Sequence, residues 1–182
     1  MKLEEAVSDV FNPLLVVPSA ALIFLNSQLG LFEAFYWTSL GVMTSLTPTL
    51  IAVYFTENRG LRIDSRDKRP KAYMVGLVSM AGTLAIFQLI SAPSVIVSAG
   101  IGGILSIVAF AAANYFSKVS IHTGAMTLSA AVLYQVTPLI SFTGFVLAVL
   151  TGWSRVKLER HTLMQVIYGA VLGLTCGLLL VL

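Results

Sequence analysis

Long stretches with almost no charge recur along the chain, near residues 12–29, 35–55, 72–91, 94–116, 121–137, 139–153 and 163–182. About 20 apolar residues in a row carry a helix through the hydrocarbon core of a bilayer. A backbone in lipid finds no water to bond, so such a segment closes its own hydrogen bonds as a helix. Charged residues make up 10% of the 182 and hydrophobic ones 57%, whereas soluble domains carry about 25% charge. The expected fold is all-α: a polytopic integral membrane helical bundle, one domain over residues 1–182, with six or seven spans. The count turns on "VTPLIS", where Pro138 lacks a backbone donor and disfavours a helical residue before it. The segments on either side are short for full crossings, and one bent helix over 121–153 is the competing reading.

If each segment crosses once, the N-terminus, the loop 56–71, the turn 117–120 and the loop 154–162 share one face. That face collects all 11 Lys and Arg residues, and the other carries a single charged residue, Glu33. Such asymmetry predicts that the charged face is cytoplasmic, in the cell membrane. Residues 1–10 are net acidic and precede no small-residue cleavage site, so no cleavable signal is expected. The net charge of +3 reads as topology and attraction to anionic headgroups; no nucleic-acid partner is expected. Cys176 is the single cysteine and reads as a small buried apolar residue. The glycines of "SAGIGGILS" (98–106) and "GAVLGLTCG" (169–177) predict close helix packing. Asn26, Gln88, Asn114 and Gln135 read as helix-to-helix hydrogen bonds, and Trp37, Trp153 and Tyr73 as interfacial belt residues.

Three polar islands lie on the charged face: "RIDSRDKRP" (62–70), "SIHTG" (120–124) and "SRVKLERHTLMQ" (154–165). Between them they hold both histidines of the chain, His122 and His161. A phosphate ester is a compact anion whose charge must be offset while its bond breaks. Arg69 and Arg155 can each give bidentate hydrogen bonds, Arg62 adds a third cation, and Ser120 and Ser154 are neutral donors. Backbone amides at the start of the fifth segment, with the helix dipole behind them, also favour an anion. Two histidines can divide the chemistry between nucleophile and acid–base.

In these residues the chain resembles the type 2 phosphatidic-acid phosphatase family, which includes vanadium haloperoxidases and polyprenyl-diphosphate phosphatases. That family carries Lys-x6-Arg-Pro, then Pro-Ser-Gly-His, then Ser-Arg-x5-His-x3-Asp. The chain has Arg62-x6-Arg69-Pro70, then Val119-Ser120-Ile121-His122, then Ser154-Arg155-x5-His161-x3-Gln165. The motif blocks thus fall at 62–70, 119–124 and 154–165. The resemblance implies that His161 is the nucleophile and His122 the general acid, later the base that activates water. It implies a phosphate cradle of Arg62, Arg69, Ser120, Ile121, Ser154 and Arg155, with neither metal nor other cofactor. The implied partners are a lipid-phosphate substrate and the surrounding membrane lipids; the oligomeric state is left open.

The chain departs from the pattern at three places. Arg62 replaces a lysine. Val119 and Ile121 replace Pro and Gly, and isoleucine does not readily take a positive φ, so the turn is expected to differ. Gln165 replaces the aspartate that holds the nucleophilic histidine. On a helix, residues 161 and 165 share a face. A glutamine oxygen there can fix the ring's tautomer without supplying negative charge. Glu159, Asp64 and Asp67 are candidates for a compensating acid. The alternative to a lipid phosphatase is a catalytically silent lipid-phosphate binder or flipping protein on the same scaffold. A transporter or channel is the other rival. Against it, the spans contain no Asp, Glu, Lys or Arg, which coupled transporters place near the midplane.

Overall fold

A computed structural model describes residues 2–56 and 68–181. The order is α1 (Leu3–Val10), α2 (Pro13–Leu29), α3 (Leu31–Gly41), a π-helical turn (Val42–Leu46), α4 (Thr47–Thr56), α5 (Arg69–Leu89), α6 (Ser94–Phe116), α7 (Ile121–Leu133), α8 (Pro138–Lys157) and α9 (Leu163–Val181). The all-α bundle expected from hydropathy is what forms. Five rods among the described residues are long and apolar enough to cross a membrane: Leu31–Phe55, Arg69–Leu89, Ser94–Phe116, Pro138–Lys157 and Leu163–Leu180. α1 and α2, bent by 47° at their junction, meet the same criterion only when counted as a single broken span.

Punctuation residues set the boundaries. Asn12 caps α2 by accepting Leu14 N–H at 3.0 Å, and Pro13 fills the first turn, where a missing donor costs nothing. Thr137 and Pro138 do the same for α8, with Ile140 N–H on Thr137 Oγ1 at 3.2 Å. "VTPLIS" therefore ends one helix and starts another, and the bent helix over 121–153 does not form. The π-helical turn ends two residues before Pro48, which has no N–H to return to the preceding turn. Thr44 and Thr47 hydroxyls bond the loosened Leu40 and Val42 carbonyls at 2.7 and 3.0 Å. Thr83 of α5 reaches Thr44 Oγ1 at 2.9 Å and ties α5 to that turn.

One apolar cluster gathers Leu25, Ala34, Phe87 and Ile96, with Trp37 edge-on to Phe87 at 5.5 Å. Trp37, expected in an interfacial belt, is partly buried and packs on this cluster. The other centre of the fold is α7. At 13 residues it is too short to span, and nine of those residues are buried. It lies against α2, α8 and α9.

Glycines let α9 approach α7 closely. A Cβ on Gly173 would overlap Gly124 O, and one on Gly169 would overlap Ser120 O. Thr127 Oγ1 crosses the same seam to Ala170 O at 2.9 Å. Close backbone approach with an interhelical hydrogen bond is how helices adhere where lipid offers no hydrophobic driving force.

Candidate active site

The start of α5, the α6–α7 turn and the end of α8 with its following loop converge at one end of the bundle. Arg69 is the first residue of α5 and is buried. Its Nη1 donates to Asn114 Oδ1 at 3.2 Å and to Val119 O at 3.0 Å. Asn114 is therefore the helix-to-helix link expected of it, and the group it holds is one of the candidate-site arginines. The Tyr73 hydroxyl is buried beside the same guanidinium.

Ser120 is fully buried at the N-cap of α7. Its N–H donates to Gln165 O at 3.0 Å, and its hydroxyl pairs with Thr123 Oγ1 at 3.0 Å. With φ at −81° and ψ at 105°, it enters α7 without a left-handed residue, so Ile121 begins the helix unstrained. Ile121 and His122 follow in the first turn, both half-buried. Amides of a first turn have no acceptor inside their helix.

The third block shows why five residues separate Arg155 from His161. After α8 ends, Arg160 N–H and His161 N–H both return to Arg155 O, at 3.1 and 3.3 Å. Glu159 makes that reversal at φ 55°, in the left-handed region. His161 is thereby delivered, buried, to the underside of the α6–α7 turn. Its Nδ1 lies 3.1 Å from Lys118 O and 3.2 Å from Gln165 Oε1. Two oxygen acceptors at Nδ1 assign the proton to that nitrogen, which leaves Nε2 with a lone pair.

Gln165 has a second duty. Its Oε1 accepts Thr162 N–H at 3.3 Å, while its own N–H donates to Thr162 Oγ1 at 3.3 Å. That reciprocal pair is a capping box, Thr-x-x-Gln, opening α9. One side chain thus starts the helix and orients the ring.

The His161 ring is pushed down to about 4, first by burial, then by the guanidiniums of Arg69 and Arg155; the Lys118 ammonium adds to this and the Lys118 carbonyl opposes it. No carboxylate of the described residues enters that balance, and Glu159 is exposed on the reversal. Arg62, Asp64 and Asp67 lie outside the described residues.

A family model described as PAP2 superfamily matches residues 34–182. The chain belongs to that superfamily. Neither a curated protein nor a solved structure matches it. Membership supports phosphoric-ester hydrolysis in general terms, and the apolar helices make this a membrane protein. The matched span contains every motif block of this PAP2 chain and leaves α1 and α2 outside.

Yet α1 meets the third block directly. Ser154, fully buried, donates its hydroxyl proton to Glu4 O at 2.6 Å, and Arg155 Nη1 donates to Ser8 Oγ at 2.7 Å. The structure thus brings Arg69, Ser120, Ser154, Arg155, His161 and Gln165 together at one end of the bundle, as the candidate site of this PAP2 protein. Ile121 and His122 adjoin it through Ser120. Asn114, the Lys118 carbonyl, Tyr73 and Ser8 were not read as site residues from the sequence. Only the Thr162-x-x-Gln165 spacing carried a local signal, that of a capping box.

A pH prediction follows from the burial of His161. NMR titration of the phosphate-free protein should show its ring neutral down to about pH 4. Gln165→Asp, which puts an anion beside Nδ1, should move that midpoint upward. A wild-type midpoint near the ordinary value of about 6.5 would contradict this. Since unfolding returns the ring to that ordinary value, stability should fall as pH drops from about 6.5 toward 4.

Proposed function

We propose that this protein is a metal-independent lipid phosphatase of the cell membrane. It hydrolyses a lipid phosphate or diphosphate, of the phosphatidic-acid or prenyl-phosphate type, through a phosphohistidine. The observation that carries this reading is the state of His161. Its Nδ1 proton faces two carbonyl oxygens, its pKa is pushed to about 4, and two guanidiniums act on it. A neutral imidazole with a free Nε2 lone pair beside two arginines suits attack on a phosphate held by those arginines.

In the first step Nε2 of His161 bonds to phosphorus as the bond to the leaving oxygen breaks. Protonated His122 gives its proton to that oxygen. His122, now neutral, then takes a proton from water, whose oxygen bonds to phosphorus as the P–N bond breaks. Inorganic phosphate departs and both rings return to their starting states. Arg62, Arg69 and Arg155 offset the charge on the equatorial oxygens, with Ser120, Ile121 and Ser154 around them. The concentration of cations on one face argues for a cytoplasmic site. The lipid tail would lie between helices.

The test is phosphate release by purified protein in detergent with EDTA, offered phosphatidic acid, phosphatidylglycerol phosphate and prenyl mono- and diphosphates. Release should come with an acid-labile phosphoenzyme trapped on quenching. No release from any of these lipids by folded protein would overturn the reading.

The second reading is a silent lipid-phosphate binder. It is favoured by Gln165 in place of a carboxylate and by the Ser120 and Ser154 hydroxyls, both already engaged within the protein. Phosphate binding without turnover would identify it.

A further inference from the structure

The helix α1 lies outside the residues that the superfamily model matches, yet it forms part of the boundary of the phosphate end. Its attachment is polar. Ser8 is buried, with its oxygen 2.7 Å from Arg155 Nη1, and Ser154 anchors the helix one turn earlier, at Glu4 O. Leu3 and Val10 of the same helix are exposed, at 69% and 60%. Glu5 and Asp9 are exposed as well, and Ala6 and Val7 are half-buried, so the outward side mixes apolar and acidic residues. α1 is capped at Phe11, α2 at Asn12, and the two axes differ by 47°.

Arg155 works under a constraint that Ser8 addresses. It shares the site with Arg69 and Lys118, all of which act on His161, so like charges press the guanidiniums apart. Arginine also has many rotamers to lose when it is fixed on a ligand. A hydroxyl acceptor holds Nη1 in place without cancelling its charge. A carboxylate in that position would hold it too, and would compete with the phosphate.

We propose that Ser8 is a positioning residue for phosphate recognition, setting the guanidinium of Arg155, with Ser154 serving to seat α1. This rests on the reading of the site as a phosphate cradle.

The test uses the full chain in detergent and inorganic phosphate as the probe, with affinity read by calorimetry. Ser8→Ala should weaken binding by about tenfold, the loss expected of one hydrogen bond to a charged group. Ser8→Thr should recover most of it, and Ser8→Asp should bind less well than Ser8→Ala. In an Arg155→Ala background, Ser8→Ala should have no further effect. Unchanged affinity in Ser8→Ala would overturn the inference, as would an effect fully additive with Arg155→Ala. Tighter binding would also overturn it, and would make α1 a strap that excludes phosphate. A wild type that binds no phosphate removes the cradle itself and the inference with it. A wild type that binds while Ser8→Ala is unchanged removes the inference alone.

Discussion

On the proposed mechanism, replacing His161 with alanine is expected to lower phosphate release by on the order of 10⁴-fold or more, because the attacking atom itself would be lost. Alanine also strips Lys118 O of its side-chain donor, which is costly where the acceptor is sheltered from water, while Gln165 Oε1 keeps Thr162 N–H. His161→Asn separates the two effects. The asparagine Nδ2 falls about where the imidazole Nδ1 lies, so it can still donate to Lys118 O, but it offers no lone pair to phosphorus. Both variants should be inactive, and His161→Asn should keep the unfolding temperature and phosphate affinity of the wild type. Should either variant retain more than about a tenth of the wild-type rate, His161 is not the nucleophile.

Gly169→Ala should damage the same chemistry from behind. A Cβ there would overlap Ser120 O and sit 3.1 Å from Ser120 N, the donor to Gln165 O. The obstruction is backbone, which cannot rotate away as a side chain can. Either α9 withdraws or the turn ahead of α7 distorts. Overpacking of this kind costs about 1–3 kcal/mol. The functional loss should be larger than that suggests, because α9 carries Gln165 and the turn carries the Lys118 carbonyl, both on His161. A displacement of about 1 Å in a reacting group can cost about 10²-fold. Thermal unfolding and kcat should therefore both fall, with KM changing less. A variant as active as the wild type would show that the seam does not position the ring.

The outlines of the bundle were legible because a lipid-crossing helix must be long and nearly free of charge, and that property survives in composition alone. What misled was α7. Residues 121–137 are as apolar as a crossing segment, but Thr123, Thr127 and Ser129 are buried within the bundle, and the helix stops at Leu133. Hydropathy measures the cost of leaving water and does not distinguish lipid from neighbouring helices. The spacing of Arg155 and His161 has a structural reason, since the return of His161 N–H to Arg155 O fixes the number of residues between them. Gln165 looked like a deficit when judged only as a missing carboxylate. Its pairing with Thr162 explains it as a helix start that also orients the ring. Ser8 could not be read at all: 147 residues separate it from Arg155, and no local pattern announces such a contact.

The shortness of α7 also acts on the lipid around it. Thirteen residues rise about 20 Å, roughly two-thirds of a hydrocarbon core. Tyr134, Gln135 and Thr137, all exposed, form the turn from α7 into α8. A polar turn carried on so short a helix is expected to favour a thin bilayer. Activity should therefore depend on the acyl-chain length of the lipids that host the protein.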